Sequence, residues 1–552
     1  MPTQRAKFER PASGIAARAR EVSIPTTGGL HSGVPAQDCP APFSPDLRNV
    51  DNHFEGYITP RSGLSRYGVY NFSGPVLGAE EVFDASGNLG AVASTMTKVS
   101  MLHPTNQAWS ALSYLPGTVA SWSTGDLSGL STHYFEFETV FSADKERMIT
   151  VFSNNTDMVK FFEFSASATT FSDFTWIDSI SSTKAAADVA SINNRLVFFN
   201  TLGSAGTRWP TRVMWSARGN PLSYLVAEGA GAEDLKDMRG SGKAVVRWRD
   251  FLLLFTELEI WRATPTLDDY AFRFDRVIDN MGTPYPRTIA VTPFGVVFLG
   301  RDKEVYATDG SSLVPLGPVE GTGPSRIQRK IHEELIAGSR AWGRWNQTEH
   351  RYELYYTTSD SPDGYPSRGL FLDFRTKTWW PHRFTHGLPA GVDAMDPATK
   401  VTWDEINDSW DATTLAWDAF DVASGNRRMN LFNSVGSALR YVSNQTTDDG
   451  SAIDVRWRSR GLKAGSRKVH LKDIWVDYET DSNSSASLWI GSARSGSVFT
   501  SEVALNLSTA NDPLFAPVWT TDQHPSFEIR IADGGTPRIA SFFATIQDAS
   551  KF

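Results

Sequence analysis

Residues 402–421, TWDEINDSWDATTLAWDAFD, place Trp-Asp pairs at Trp403-Asp404, Trp410-Asp411 and Trp417-Asp418, seven residues apart. The stretch adds Glu405, Asp408 and Asp421, and no Lys or Arg falls between 402 and 426. Such an oxygen-rich cluster suits calcium, but calcium loops alternate their ligands around a Gly that makes the sharp bend, and this stretch has no Gly. A helix would align Trp403, Ile406, Trp410, Trp417 and Phe420 as a heptad stripe. The Asn, Asp, Ser and Thr413-Thr414 content disfavours a helix interior. Successive turns, each pinned by its Trp against a larger body, fit better, with sugar binding through exposed Trp as the alternative.

Other chemical signals are weaker. His382 and His386 in PHRFTH have a spacing that can hold zinc, without a cysteine or an HExxH partner. His332 precedes Glu333 and Glu334 but lacks a second histidine. RGSGKAVV, residues 239–246, invites a phosphate-loop reading, yet Ala244 stands where a magnesium-binding Ser or Thr would follow Lys243. A surface turn is the better reading. YATDGSSLVPLG, from Tyr306, distantly echoes the Asp-boxes of sialidase propellers, but it occurs once and lacks the Trp. No Gly-x-Ser-x-Gly elbow is present. These observations predict no catalytic residues, no metal and no cofactor.

The elements that would position such residues are β-strands. The chain has 552 residues, 12% aromatic, with 18 Trp, 33 Phe and 43 Gly. Rings favour strands, and glycine supplies the positive φ of tight turns. Seven segments repeat one pattern of apolar strand, polar turn and second strand, starting at Lys98, Arg147, Arg195, Phe251, Gly295, Arg351 and Arg428. Five of the six intervals run from 44 to 56 residues, close to one four-stranded propeller blade. The sixth, 77 residues, spans the Trp-Asp stretch, which reads as an insertion at about 400–425. A large β-sandwich is the competing architecture. One helix is expected in PSRIQRKIHEELIAG, with Ser325 as N-cap and Ile327, Ile331 and Leu335 four apart.

The expected fold is therefore all-β: a six- to seven-bladed β-propeller over 46–450, an extended arm over 1–45 rich in Pro, Gly, Ala and Arg, and a small β-domain over 451–552. The formal charge of −9 argues against general nucleic-acid binding, which rests on counterion release by Lys and Arg. One basic cluster stands out in the last domain: Arg456, Arg458 and Arg460 alternate, so a strand would set all three on one face. Lys463, Arg467, Lys468 and Lys472 follow. A solvated sheet face and a face towards DNA or an acidic partner both remain open readings. The single cysteine, Cys39, excludes a disulfide framework and fits a reducing cytoplasm. The first thirty residues hold no apolar core of signal-peptide length, and no stretch reaches the length of a membrane span.

Three stretches resemble the tail hub or nozzle proteins of short-tailed bacteriophages, also described as packaged-DNA stabilisation proteins. GVPAQDCPAPFSPDLRNVDNHFEGYITPRSGLSRYG carries Arg48, Asn49, Gly56, Arg61 and Gly63 in the order of that family's opening. RVMWSARGNPLSY (212–224) and VVRWRDFLLLFTELEIWRAT (245–264) resemble its mid-chain hairpins. MGTPYPRTIAVTPFGVVFLGRDKEVYATDGSSLVPLG then leads to SRIQRKI. The resemblance spans roughly 30–445 and its motifs are structural. It implies a non-enzymatic propeller, assembled in the host cytoplasm into a ring, a hexamer, below the portal and adaptor of the virion tail. Such a ring continues the DNA channel, retains the genome, touches DNA transiently and supports fibres or a needle. A carbohydrate-binding or glycan-cleaving propeller of a virion or secreted protein is the alternative.

Overall fold

Apolar runs such as FLLLFT (Phe251–Thr256) and GVVFL (Gly295–Leu299) are too uniform for a sheet with one wet face; they suit strands buried on both sides. That is how the chain uses them. The computed structural model describes residues 19–53, 56–83, 89–102, 109–114, 127, 134–143, 146–163, 170–173, 177–178, 183–203, 206–266, 271–319, 323–336, 338, 340–395, 427–442, 445–463, 468–480, 484–493, 499–507, 514–533 and 536–548. They form two compact units. One is Ser62–Lys377 with His382–Ser451; the other is the chain up to Arg61 with Thr378–Pro381 and Ala452 onward.

The larger unit is a seven-bladed β-propeller. Among the described residues, seven antiparallel sheets follow one another over 78–111, 136–173, 183–234, 242–278, 290–315, 341–373 and 390–442, with strands in sequence order. The last sheet takes its fourth strand from the start of the unit: Gly63–Asn71 pairs antiparallel with Ser437–Val442, Gly63 opposite Val442. This closes the ring by hydrogen bonds between residues more than 360 positions apart.

Facing blades bury each other's apolar side chains. Val140, Ile149 and Val151 of the second blade pack on Val189, Leu196 and Phe198 of the third. Val197, Phe199 and Trp215 pack in turn on Leu252 and Leu254 of the fourth. The circuit is completed where Phe432 and Val392 of the seventh blade meet Ala91, Leu102 and Trp109 of the first. At that seam the rings of Phe72, Trp109 and Phe432 meet edge to face at 5.2–5.6 Å, the geometry that aromatic quadrupoles favour.

Six of the seven repeated segments coincide with the second strand of a blade; the one from Lys98 enters the third strand of the first blade. In the seventh blade Ala390–Met395 pairs with Arg427–Phe432, Met395 opposite Arg427. The Trp-Asp stretch therefore sits between two register partners, as an insertion does. Its residues, Trp403, Asp404, Trp410, Asp411, Trp417 and Asp418 included, lie outside the described residues.

The expected helix is present as Gln328–Glu334, with Ile327, Ile331 and Leu335 buried. Ser325 serves it from one turn upstream: its hydroxyl accepts from Gln328 N at 3.1 Å, while Ile327 occupies the cap position.

The second unit is a β-sandwich. One sheet orders Val50–His53, Tyr57–Pro60, Arg538–Asp548, Val469–Glu479 and Leu514–Asp522, with Ala19–Pro25 also paired to Arg538–Asp548. The other orders Leu47–Arg48, Val455–Arg458, Pro525–Asp533, Ser484–Ser492 and Phe499–Leu507. Trp457 of one sheet stacks on Phe542 of the other, ring centroids 5.0 Å apart, with Phe527 beside both. Within the segment expected as an extended arm, Ala19–Pro25 is a strand paired to Arg538–Asp548 of this sandwich.

Candidate functional site

A propeller presents its first strands to the axis, because each pairs on one side only. In this chain those strands carry charge. Glu80 lies on Gly78–Phe83, Glu136 and Glu138 on Glu136–Ser142, and Asp188 on Thr183–Ile192. Arg247 lies on Gly242–Trp248, Arg344 on Ala341–Asn346 and Asp393 on Ala390–Met395. Carboxylates gather on blades one, two, three and seven, and guanidiniums on four and six.

Each group is held by specific partners. Asp188 accepts from the backbone N–H of Val189 and of Val245, both at 2.7 Å, and so clips the third blade to the fourth. Glu138 accepts from Ser191 Oγ at 2.6 Å. Arg344 donates Nε to Glu353 at 2.8 Å and Nη1 to Asp393 at 2.6 Å.

Encirclement by protein disfavours the charged carboxylates. Burial pushes Glu80 up to about 8, reinforced by Glu138, Glu136, Glu81 and Asp393. Burial pushes Glu138 up to about 7, against the pull of Ser191 and Arg247. Asp188 is raised well above the usual range by burial and by Glu136, and Glu136 is raised by burial against Arg287. Glu80 is at once exposed to water and surrounded by protein, as a side chain in a narrow lumen is. Among the described residues no three His, Cys, Asp or Glu side chains are grouped to hold a metal ion.

Sequence reasoning did not single out this collar. The available signal was one or two acidic residues inside an otherwise apolar first strand, as in AAADVAS and AGVDAM. Without the ring closure, nothing says that these positions converge.

In the basic cluster of the sandwich, Arg456 and Arg458 share one strand and face Asp46 and Glu528. The strand covers Val455–Arg458 only, and both Trp457 and Arg458 are buried. Arg456 lies 3.5 Å from Glu528, 3.7 Å from Asp46 and 3.9 Å from Asp454. Arg458 sits over the Phe499 ring at 4.7 Å, and burial lowers its pKa. Arg460 follows the strand, and Lys463 pairs with Asp38 at 2.5 Å. Lys468 is exposed, Lys472 is half-buried, and Arg467 lies outside the described residues.

The remaining sequence candidates resolve into framework. His382 is buried and stacks on Phe371 at 4.4 Å, whereas His386 approaches Asp449 at 3.9 Å. In the glycine-rich stretch at 239–246, Arg239 is held by Glu259 through backbone N–H and Nε, and Gly242 starts a strand.

The motifs behind the family resemblance are also structural. Arg61, 1% exposed, donates Nε to Asn49 Oδ1 at 3.1 Å, and Asn49 Nδ2 donates to Asp454 O at 2.8 Å. Asn49 adopts a left-handed φ of 55°, which asparagine tolerates better than most residues. Arg48 pairs with Asp454 at 2.7 Å. In WRDF, Arg249 and Asp250 make a two-residue hairpin turn between Trp248 and Phe251.

No family model and no curated protein matches the chain. Among solved structures it is similar to the computationally designed Ika8 protein, at 9% identity and TM-score 0.34, over 69% of this chain and 100% of that one. It is similar to YCF48 from Cyanidioschyzon merolae at 9% identity and TM-score 0.30, over 64% and 95%. It is also similar to the extracellular domain of the putative hybrid two component system BT4673 from B. thetaiotaomicron, at 7% identity and TM-score 0.37. That match covers 86% of this chain and 62% of the other.

Proposed function

We propose that this chain is a non-enzymatic virion protein: a subunit of the tail nozzle or hub ring of a short-tailed bacteriophage. In this reading, copies of the chain form a hexameric ring below the portal and adaptor. The ring continues the DNA channel, retains the packaged genome and supports fibres or a needle.

The observation that carries the reading is where the resembling residues sit. Arg48, Asn49 and Arg61 form one hydrogen-bonded unit anchored on Asp454, and the WRDF turn joins two strands of the fourth blade. A match at such positions concerns the framework itself, rather than a surface that unrelated propellers could share by chance.

Charge supports it as well. Each phosphate neutralised by a conduit adds affinity that slows ejection, and the chain is acidic, with Arg456 opposed by three carboxylates. Contact with DNA would then be transient. Gold-labelled antibody against this chain, applied to intact particles of the source phage, tests the reading. Label confined to the tail supports it; label spread over the capsid, or none, contradicts it.

A further inference from the structure

Among the described residues Trp519, 80% exposed, is the most exposed large apolar side chain. It lies on the edge strand Leu514–Asp522 of the sandwich, whose outward residues include Phe515, Pro517, Trp519 and Thr521. Phe515 is opposite Trp475, and Trp475 is opposite Phe543 on the next strand. Three aromatic rings therefore make a row across three strands, with Trp475 and Phe515 4.8 Å apart. The register slips between Leu471 and Asp473 against both neighbouring strands, so Val518 and Trp519 together oppose Lys472. A bulge of this kind re-aims a side chain and recurs beside binding sites. Here it brings Lys472 Nζ to 5.9 Å from the Trp519 ring.

We propose that Trp519, Phe515, Trp475 and Phe543 form a platform that binds a neutral oligosaccharide by stacking pyranose rings on aromatic faces. The carbon-bound hydrogens on one face of a pyranose are weakly positive and apolar, matching the negative face of an aromatic ring. Trp and Phe supply that area at small entropic cost, having few rotatable bonds. Four residues along a strand separate Phe515 from Trp519 by about 13 Å, more than one sugar covers, so the ligand is a chain of sugars.

The surroundings narrow the ligand. Glu21, Asp473 and Asp477 share this face with Lys472 and His470, leaving it net acidic, which disfavours phosphate and uronic acid groups. Thr521 and Ser541 lie on the same face, their hydroxyls engaged by His470 and Asp477. Pro517 has no N–H to offer, so the edge is poorly suited to pairing with an added strand. The inference does not depend on the nozzle reading.

The test uses the full-length chain on an array of neutral oligosaccharides, followed by tryptophan-fluorescence titration with hexasaccharides of glucose, galactose, mannose and N-acetylglucosamine. Saturable binding is expected, weakened roughly tenfold or about 1.4 kcal/mol by W519A, less by W519F, and unchanged by W403A/W410A/W417A. Trp519 is exposed, so W519A should keep the unfolding midpoint. The proposal is overturned by no saturable binding, by binding equal in W519A, or by binding restricted to charged sugars. Binding lost in W403A/W410A/W417A overturns it too, as does wild-type self-association in sedimentation velocity that W519A abolishes.

Discussion

Arg344 and Asp393 tie the innermost strand of the sixth blade to that of the seventh: Nη1 of the arginine lies 2.6 Å from a carboxylate oxygen of the aspartate. The same guanidinium donates Nε to Glu353, which is fully buried and also accepts from Arg351, Asn346 and Tyr355. Burial alone would raise Glu353, but Arg344 and Arg351 overcome it and hold the carboxyl well below the usual range.

Removing Arg344 uncovers that buried charge. Arg344→Leu is expected to cost about 3–5 kcal/mol, the range for breaking a buried pair from one side, read by denaturant unfolding of the full chain. A carboxyl depressed in the fold stabilises above its unfolded value of 4.5, and that contribution is lost as pH falls. The variant should therefore lose less further stability on acidification than the wild type.

The axial collar predicts the opposite pH dependence. Glu80 and Glu138 are raised, so the folded protein binds protons that the unfolded chain has released. Stability is fully present below 4.5 and falls as pH rises, to about 7 for Glu138 and about 8 for Glu80. E80Q/E138Q should match the wild type near pH 4.5 and gain on it steadily to pH 8, with a constant gap above. Thermal melts across that range would show it, and a pH-independent gap would refute it.

Excision of the stretch between Met395 and Arg427 is expected to leave the seventh blade folded. Met395 and Arg427 are register partners, so an Asn-Gly pair replacing residues 396–426 should close a two-residue hairpin. The unfolding midpoint is expected to stay within a few degrees of wild type by calorimetry. A collapse of the transition would mean that the excised residues hold the seventh blade together.

Cys39 should be inert in the fold. It is 3% exposed, and burial pushes its thiol up to about 12 against the opposing charge of Arg460. The thiolate is the reactive form, so Ellman's reagent at pH 8 should modify Cys39 only after denaturation. Rapid modification of the native protein would contradict this packing.

Much of the propeller was legible because its second strands advertise themselves. Segments such as RLVFFN and FLLLFT carry unbroken apolar runs, Leu196–Phe199 and Phe251–Phe255, since both faces are covered by other blades. Ring closure was not legible: Gly63–Asn71 finds its partner strand far along the chain, and no local pattern encodes that pairing. The same holds for Ala19–Pro25, whose composition suggests an arm while Arg538–Asp548 makes it a strand. Alternation holds for Arg456 and Arg458, which face the same carboxylates Asp46 and Glu528, but it does not encode that Arg458 is buried or that the strand ends before Arg460. The collar stayed hidden because its members come from six different strands, and only the closed ring brings those strands to one axis.

The central claim is a place in the virion tail, and copy number tests it most directly. Quantitative mass spectrometry of virus particles purified from cells that make this chain would compare it with the portal protein. The account predicts a small fixed ratio, half or equal to the portal count. Absence from the particles, or hundreds of copies in each, would contradict it.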